Sequence, residues 1–317
     1  MRAPFEQPWI WALLGILGLF ILLSVGVGQV NLANLTGIVT SAGLLCVVAL
    51  GQMLVVTTGD GAVDLSIPNV MTLSAFVATS LINGADGRLP LGLVTAAVLG
   101  ASVGCINALI VNRLRIPPII ATLAVGYILT TGTLIVNRGF QTYAVSPLLA
   151  YVASRRAFGI PVILLVAMAL SSGAAALLHL TVYGRNLSAV GQNRRAAYLA
   201  GVPVERTTTA AYALSGALAA VGGVLLSGRV GGAFLEMGNP FLLQSVGAVV
   251  VGGSSILGGR ANAFGTLLGS VFLVMVVTTM QVLRLGQGFQ EIAQGVLLIL
   301  VLAVATVRKQ KAARTQA

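Results

Sequence analysis

Charged residues are scarce in this sequence. Only 18 basic and 7 acidic residues occur among 317, a charged fraction of 8%. A water-soluble domain carries about a quarter charged residues, so this chain lacks the means to cover a surface that faces water. With 57% apolar residues and a mean hydropathy of +0.99, it has the composition of a protein that crosses a membrane several times.

Residues that hold metals or form disulfides are equally scarce. The sequence has two cysteines, Cys46 and Cys105, and one histidine, His179. Both cysteines lie in apolar stretches without metal-ligand spacing, so we expect small buried side chains and no disulfide. We expect no catalytic residue, no metal and no other cofactor in this chain.

The excess of positive charge does not indicate a nucleic-acid partner. The net charge is +11, but nucleic-acid binding needs basic residues gathered on one exposed face. Here they are scattered between apolar runs, as topology signals are. We therefore expect membrane lipid, and no nucleic acid, around the chain.

Ten apolar runs are long enough to be considered as membrane spans. A helix needs about 20 apolar residues to cross a hydrocarbon core of about 30 Å. The sequence predicts an all-α, polytopic membrane helix bundle of about ten helices, forming a single domain over 1–317. The predicted spans are 9–28, 35–58, 66–83, 91–112, 118–136, 160–180, 207–228, 240–257, 264–283 and 288–307.

The distribution of basic residues predicts the orientation. Cytoplasmic loops carry more Lys and Arg, and a cytoplasmic N-terminus gives twelve basic residues inside against six outside. Both termini are then cytoplasmic, which requires an even number of spans. Five spans on either side of residue 159 would make a possible inverted repeat of two five-helix halves. The inner set is Arg2, Arg113, Arg115, Arg185, Arg194, Arg195, Arg206, Arg260, Arg308, Lys309, Lys311 and Arg314, and the outer set is Arg88, Arg138, Arg155, Arg156, Arg229 and Arg284.

The predicted spans contain hydroxyl and amide groups but almost no charge. Only Glu291 falls inside a predicted span, so a proton relay is missing. Neutral polar groups suit a neutral, hydroxyl-rich solute better than an ion. The alternative is that they bond to neighbouring helices. They include Gln52, Thr57, Thr58, Asn69, Thr72, Asn107, Thr122, Thr130, Thr131, Gln244 and Ser245.

Two glycine-rich segments interrupt the apolar pattern. In TTGDGAVDLSIPN (57–69), Asp64 or Ser66 is placed to cap the next helix. Irregular backbone near membrane depth must be buried in protein or line a cavity, which makes this segment a candidate pathway or gating turn. GGSSILGG (252–259) lacks the Gly-Lys-Ser/Thr of a phosphate-binding loop and indicates a bent or broken span end. The candidate turn residues are Asp60, Asp64, Ser66 and Asn69.

The segment 183–206 is too polar to insert into a membrane and too rich in Ala and Leu for a flexible linker. Its part 193–200 predicts a short helix that Asn193 caps and Gly201 ends. An exposed cytoplasmic element of this size is typical of a docking surface. We call residues 183–206 the coupling segment.

At this segment the sequence resembles the permease subunits of bacterial ABC importers for simple sugars, such as ribose, xylose and galactose. The resemblance extends loosely over the whole chain, and after span 2 the sequence keeps Val63-Asp64-Leu65-Ser66 but has Pro68 where the family has Gly. The matching residues include Gly184-Arg185, Val190-Gly191, Asn193, Ala196-Ala197, Gly201, Val204, Arg206, Tyr212, Leu214-Ser215-Gly216, Val251-Gly252-Gly253, Gly258-Gly259 and Gly265-Thr266.

The resemblance implies a multi-pass permease of the bacterial inner membrane, without enzymatic activity of its own. Two permease subunits, identical or different, would form the pathway, separate ATPase subunits would bind below, and a periplasmic sugar-binding protein would deliver the solute. The absence of a Walker motif agrees with a separate ATPase. The residues implied in ATPase coupling are Arg185, Asn193, Arg194, Arg195, Ala196, Ala197 and Gly201.

Two alternatives remain open from the sequence. One is a stand-alone secondary carrier or channel for a small neutral solute, because sodium can be held by carbonyls and hydroxyls alone. The other is an ABC permease that carries nucleosides or branched-chain amino acids.

Overall fold

A computed structural model describes residues 9–26, 32–139, 144–286, 288–296 and 299. Thirteen helices and one pair of two-residue strands occur within these residues. The helices are α1 (Trp9–Ile21, continued by a π turn, Leu22–Gly26), α2 (Leu32–Thr57), α3 (Ile67–Ile82), α4 (Leu89–Arg113, preceded by a 3-10 turn, Asp86–Arg88), α5 (Pro118–Arg138), α6 (Pro147–Ser154), α7 (Val162–Leu180), α8 (Val182–Gln192), α9 (Arg194–Leu199), α10 (Val204–Val230), α11 (Phe241–Val251), α12 (Ala263–Val282) and α13 (288–296); the strands are β1 (Arg156–Ala157) and β2 (Ile160–Pro161).

The helices form a membrane bundle, which confirms the predicted fold class. Within the described residues, six helices are long and apolar enough to cross a membrane, and three apolar helices are shorter. Of the tenth predicted span, only 288–296 and 299 are described, and both chain termini lie outside the described residues. The six long segments are Asn34–Thr57, Asp86–Arg113, Pro118–Arg138, Val162–Leu180, Val204–Val230 and Ala263–Val282, and the shorter ones are Ala12–Ser24, Ile67–Ile82 and Phe241–Val251.

The core of the bundle lies around α2 and α10. α10 packs against α2, α3 and α4, and its backbone comes close to that of α4. A Cβ added at Gly100 would collide with the Gly216 carbonyl, and one at Gly104 would collide with the Tyr212 carbonyl. Small residues let helix backbones approach when no hydrophobic effect drives association, and Gly100 and Gly104 allow this close approach of α4 to α10.

α5 and α7 lie at the edge of the bundle, with 28% and 22% of their apolar windows buried. α4 also has an outward face, where Val98, Cys105 and Leu109 are exposed at helical spacing. Cys46 is buried in α2 as predicted, but the prediction for Cys105 was wrong because it lies on this outward face.

α3 and α11 both begin inside the bundle. The loop between α10 and α11 returns along α3, where Gly238 N–H donates to Thr72 Oγ1 (3.3 Å) and a Cβ on Gly238 would collide with the Pro68 carbonyl. The 11 residues of α11 reach about 16 Å, roughly half of a hydrocarbon core. α11 ends at Val251, so GGSSILGG is non-helical and the predicted broken span end is confirmed.

Candidate functional site

The segment between α2 and α3, residues 58–66, makes a sharp reversal and then re-enters the bundle. Gly59, Asp60 and Gly61 all have positive φ values of +85°, +54° and +69°. Glycine adopts this region freely, and Asp is among the residues that best tolerate it. Asp60 is exposed at the tip of the reversal, whereas Asp64 and Ser66 are buried. We call this segment the Asp64 turn.

The carboxylate of Asp64 is bound entirely by neutral groups. Asp64 is 2% exposed. Its Oδ1 accepts hydrogen bonds from Ser66 N–H (3.0 Å) and Ser66 Oγ (2.6 Å), and its Oδ2 accepts from Ser215 Oγ of α10 (3.1 Å). Ser66 is the N-cap residue of α3, but its side chain makes no capping bond, because its hydroxyl donates to Asp64 Oδ1 instead. Asp64 accepts from the amide of the N-cap residue and thereby fixes the turn just before α3, so neither predicted side chain caps the first turn of the helix.

Three further helices hold the Asp64 turn. Asn107 Nδ2 of α4 donates to Ser66 Oγ (2.8 Å), and Thr122 Oγ1 of α5 accepts from Leu65 N–H (3.0 Å). With its amide nitrogen facing the Asp64 carbonyl, Gln52 of α2 donates to that oxygen (3.3 Å) and accepts from Asp64 N–H (3.2 Å). The turn is thus fixed by hydrogen bonds from several directions.

Asp64 lies inside the bundle and not at its edge. Its partner Gln52 precedes the last residue of α2 by five positions, which places the contact about 7 Å inside the helix end. No Lys, Arg or His of the described ranges forms an ion pair with Asp64. Two buried oxygens nearby, Asn107 Oδ1 and Tyr212 OH, have no hydrogen-bond partner within those ranges. The sequence predicted a segment that is buried in protein or lines a cavity, but it did not predict which residues of other helices surround Asp64.

Asn69 lies one step further along α3 and faces α5. Its Oδ1 accepts from Thr130 Oγ1 (2.9 Å), and a Cβ on Gly126 would come within 2.5 Å of its Nδ2. The structure therefore joins Asp64 and Ser66 in one network, whereas Asn69 belongs to the α3–α5 contact and Asp60 is exposed.

The coupling segment consists of two helices and the first turn of α10. Thr181 caps α8 by accepting from Gly184 N–H (3.2 Å), and Asn193 caps α9 by accepting from Ala196 N–H (2.9 Å). Gly201 follows α9 with a φ of +79°. The predicted short helix with its Asn193 cap and Gly201 end is confirmed, while α8 was not predicted. Burial raises the pKa of the Tyr183 hydroxyl in α8, which keeps that hydroxyl neutral.

The two faces of α9 differ. Ala197 is buried against Val190 and Val204 of the same chain. On the opposite face, Tyr198 and Leu199 are 72% and 77% exposed. Tyr198 and Leu199 are large apolar residues in a segment that is otherwise too polar to insert into a membrane. This pattern in the sequence could have indicated that they belong to the docking surface, but the prediction did not include them. Also exposed are Arg185, Asn193, Arg195, Ala196 and Gly201, whereas Arg194 is half-buried.

Backbone atoms join the coupling segment to the Asp64 turn. A Cβ on Gly191, in the last turn of α8, would collide with the Thr57 carbonyl at the end of α2. A Cβ on Gly59 would come within 2.9 Å of the Gly191 carbonyl, and Gly259 N–H donates to the Thr57 carbonyl (3.0 Å). We call Gly59, Gly191, Gly258 and Gly259 the glycine junction. No side chain separates the three segments there, so their backbones are in direct contact.

A second connection runs through α4. Arg194 of α9 donates to Asn112 Oδ1 (2.7 Å), and Asn112 Nδ2 donates to the Glu205 carbonyl (3.4 Å). Asn107, which binds Ser66, is five residues away on the same helix. The Arg113–Glu205 ion pair (3.5 Å) is exposed and contributes little. The coupling segment is therefore connected to the Asp64 network both by the glycine junction and by α4.

Comparisons with known proteins agree with this arrangement. Residues 34–305 match the family described as branched-chain amino acid transport system / permease component. The chain belongs to this family. It is a multi-pass membrane permease component, and it is not itself an enzyme.

Individual relatives match over nearly the full length. The ribose import permease protein RbsC of Escherichia coli strain K12 is 29% identical over 313 residues, which cover 96% of each chain. The autoinducer 2 import system permease protein LsrC of Enterobacter sp. strain 638 is 31% identical, over 96% of this chain and 88% of the relative. LsrC of Klebsiella pneumoniae strain MGH 78578 is 31% identical over 100% and 91%. No solved structure matches the chain. The resemblance to permease subunits of bacterial sugar importers is thereby confirmed.

Proposed function

We propose that this permease is the membrane-spanning subunit of an ABC importer that carries a sugar or a related neutral polar solute. A periplasmic binding protein delivers the solute, and separate ATPase subunits supply the energy. The glycine junction carries the proposal, because it connects an exposed cytoplasmic docking element to a buried polar turn without an intervening side chain. The relatives named for ribose and autoinducer 2 import support the solute class.

The ATPase docks on the exposed face of α9. Tyr198 and Leu199 enter a cleft of the ATPase, while Arg185 and Arg195 pair with carboxylates at its rim. Asn193 and Gly201 define the two ends of this helix. The small side chains of Ala196 and Ala197 keep its diameter small enough to fit the cleft. Closure of the ATPases moves α9, and Gly191 and Arg194 pass the motion to the Asp64 turn and to α4.

The proposed architecture has ten spans with both termini cytoplasmic, in one domain. An inverted repeat is supported by the central helices: α2 and α10 pack antiparallel, with Gly51 against Ser215 and Val48 against Gly222. Each of these long helices is followed by a segment that re-enters the bundle and by a shorter helix, α3 or α11, that begins inside it. Equivalent elements of opposite direction are typical of transporters that alternate between outward-open and inward-open states.

The remaining partners follow from this proposal. Two permease subunits, identical or different, enclose the pathway in the bacterial inner membrane, and the bacterial origin of the relatives supports this location. Asp60, Asp64, Ser66 and Asn69 border the pathway or its gate. The chain acts without a cofactor or metal of its own and without nucleic acid.

The test is reconstitution of the permease into vesicles with its proposed partners, an ATPase and a periplasmic binding protein. We expect labelled ribose or another simple sugar to accumulate only when ATP, the ATPase and the binding protein are all present. Uptake by the permease alone, driven by a sodium or proton gradient, would instead identify a stand-alone carrier.

A second candidate is import of a branched-chain amino acid. The family description names this class, and the Asp64 carboxylate, which has no cationic partner within the described residues, is suited to an ammonium group. Competition decides between the two candidates. Under the main proposal, excess unlabelled leucine should leave the uptake of labelled sugar unchanged. Under the second, the labelled solute that accumulates is leucine, and excess unlabelled leucine should block its uptake.

A further inference from the structure

A small hairpin connects α6 to α7, at the end of α7 opposite the coupling segment. Arg156 pairs with Pro161 and Ala157 with Ile160, and Val162 N–H donates to the Arg155 carbonyl (3.0 Å). Phe158 and Gly159 form the tip, with φ values of +52° and +80°. The hairpin is thus closed directly onto the first residue of a helix long enough to span a membrane.

Two features make the position of Phe158 unfavourable: the exposure of its ring and the conformation of its backbone. It is fully exposed, at 102%, so its ring packs against none of the described residues. It also has left-handed backbone geometry, which Asn or Gly adopts in such turns and a bulky residue adopts only at a cost. A strained, exposed aromatic side chain at a hairpin tip points to a binding partner outside the chain.

The position of the hairpin identifies the environment of that ring. Pro161 directly precedes Val162, where α7 begins, so the tip is about 10 Å of extended chain from the start of a spanning helix. α7 is peripheral, with 22% of its apolar window buried. The base of the hairpin is anchored on the bundle, since β2 contacts α2 and α6 contacts α10. Its tip, where Phe158 is fully exposed, lies at the membrane–water boundary.

The neighbouring side chains match a lipid surface. Arg155 and Arg156 are exposed beside Phe158, and Tyr151 and Ile160 are 45% and 44% exposed. Aromatic and aliphatic side chains next to basic residues are typical of segments that lie in the headgroup region, where Lys and Arg bind anionic lipid.

We propose that residues 155–160 form a binding site for anionic phospholipid. The Phe158 ring inserts at the boundary between headgroups and acyl chains, and Arg155 and Arg156 bind the lipid phosphates. The hairpin thereby fixes the depth of α7 in the bilayer. This site is independent of the solute and of the ATPase.

A tryptophan probe tests the insertion. In a background of Trp9→Phe and Trp11→Phe, the variant Phe158→Trp is placed in vesicles of equal parts phosphatidylcholine and phosphatidylglycerol. We expect a blue-shifted emission that lipids brominated near the top of their acyl chains quench and aqueous iodide does not. Tyr198→Trp in the same background is the control, because that exposed position on α9 should be quenched by iodide only.

Competition between brominated and plain lipids tests the charge selectivity. We expect the Phe158→Trp probe to prefer phosphatidylglycerol over phosphatidylcholine by roughly fivefold for each arginine. The double variant Arg155→Gln/Arg156→Gln should lose that preference and keep the blue-shifted emission. Monodisperse elution of each variant shows that the bundle is folded.

Two results would overturn the proposal. One is an aqueous emission spectrum with iodide quenching in vesicles, which would leave the tip in water. The other is a probe that becomes shielded only after a protein partner is added, which would assign the hairpin to protein docking. Equal quenching by both brominated lipids in the presence of both arginines would contradict the anionic selectivity.

Discussion

Gly191, in the last turn of α8, lies so close to Thr57 at the end of α2 that a Cβ on Gly191 would collide with the Thr57 carbonyl. The same Cβ would also collide with the Gly259 nitrogen. Both groups belong to backbone, which has little room to move. Gly191 is therefore the tightest point of the glycine junction between the coupling segment and the Asp64 turn.

The variant Gly191→Ala should lower the thermal stability of the permease, because one methyl group forces backbone segments apart at a cost of about 1–3 kcal/mol. Uptake should fall with it, since the junction transmits motion from α8. Gly173→Ala is the matched control: Gly173 is also helical, and nothing lies within 4 Å of its added Cβ. Unchanged melting temperature and uptake in Gly191→Ala would disprove a tight junction.

Replacing Asp64 should separate its structural role from a role in solute binding. Asp64→Ala leaves the Ser66 amide and two hydroxyls without their acceptor and should destabilise the protein by about 1–3 kcal/mol. Asp64→Asn keeps the shape and one acceptor oxygen, so a smaller loss is expected. If the solute is a sugar, Asp64→Asn retains measurable uptake. Complete loss of transport by well-folded Asp64→Asn would favour an ammonium-bearing solute.

Truncation of the exposed apolar pair of α9 should weaken ATPase binding. We expect Tyr198→Ala/Leu199→Ala to reduce the affinity for the ATPase by tenfold or more, since buried anchors of this kind contribute about 2 kcal/mol each or more. The melting temperature of the isolated permease should stay the same, because both side chains are mostly exposed. Co-purification and titration with the ATPase measure the effect. Wild-type affinity in the double variant would place the docking face elsewhere.

Gly201 should be sensitive to backbone conformation and insensitive to size. Its φ is +79° and its added Cβ meets nothing within 4 Å. Gly201→Leu should therefore distort the end of α9 and uncouple ATP hydrolysis from uptake, while the permease remains in the membrane. Gly201→Asn should be better tolerated, because Asn adopts the left-handed region more readily. Equal behaviour of the two variants would show that backbone conformation is not the cause.

Local features were predictable from the sequence. Asn193 and Gly201 were identified as helix ends because capping depends on a few neighbouring residues. The same holds for GGSSILGG, whose glycines follow the end of α11.

Contacts between distant segments were not predictable in this way. Asp64 is buried because Ser215, 151 residues away, and Asn107, which binds Ser66 from 41 residues away, meet it in space. The sequence periodicity of α2 and α10 does not indicate which faces of the two helices contact each other. Cys105 illustrates the same limit. The sequence of an apolar helix at the edge of a bundle is similar to that of one at its centre, so exposure of Cys105 could not be predicted.

The hydrogen bond from Gly259 N–H to the Thr57 carbonyl restricts how the inner end of the bundle can rearrange. A carbonyl at a helix end needs a partner, and here the partner is another segment of the chain instead of water. Separating the two would leave a buried acceptor unpaired at a cost of about 1–3 kcal/mol. The end of α2, the end of α8 and the loop before α12 are therefore held together, and we expect the hinges of the transport cycle to lie outside them.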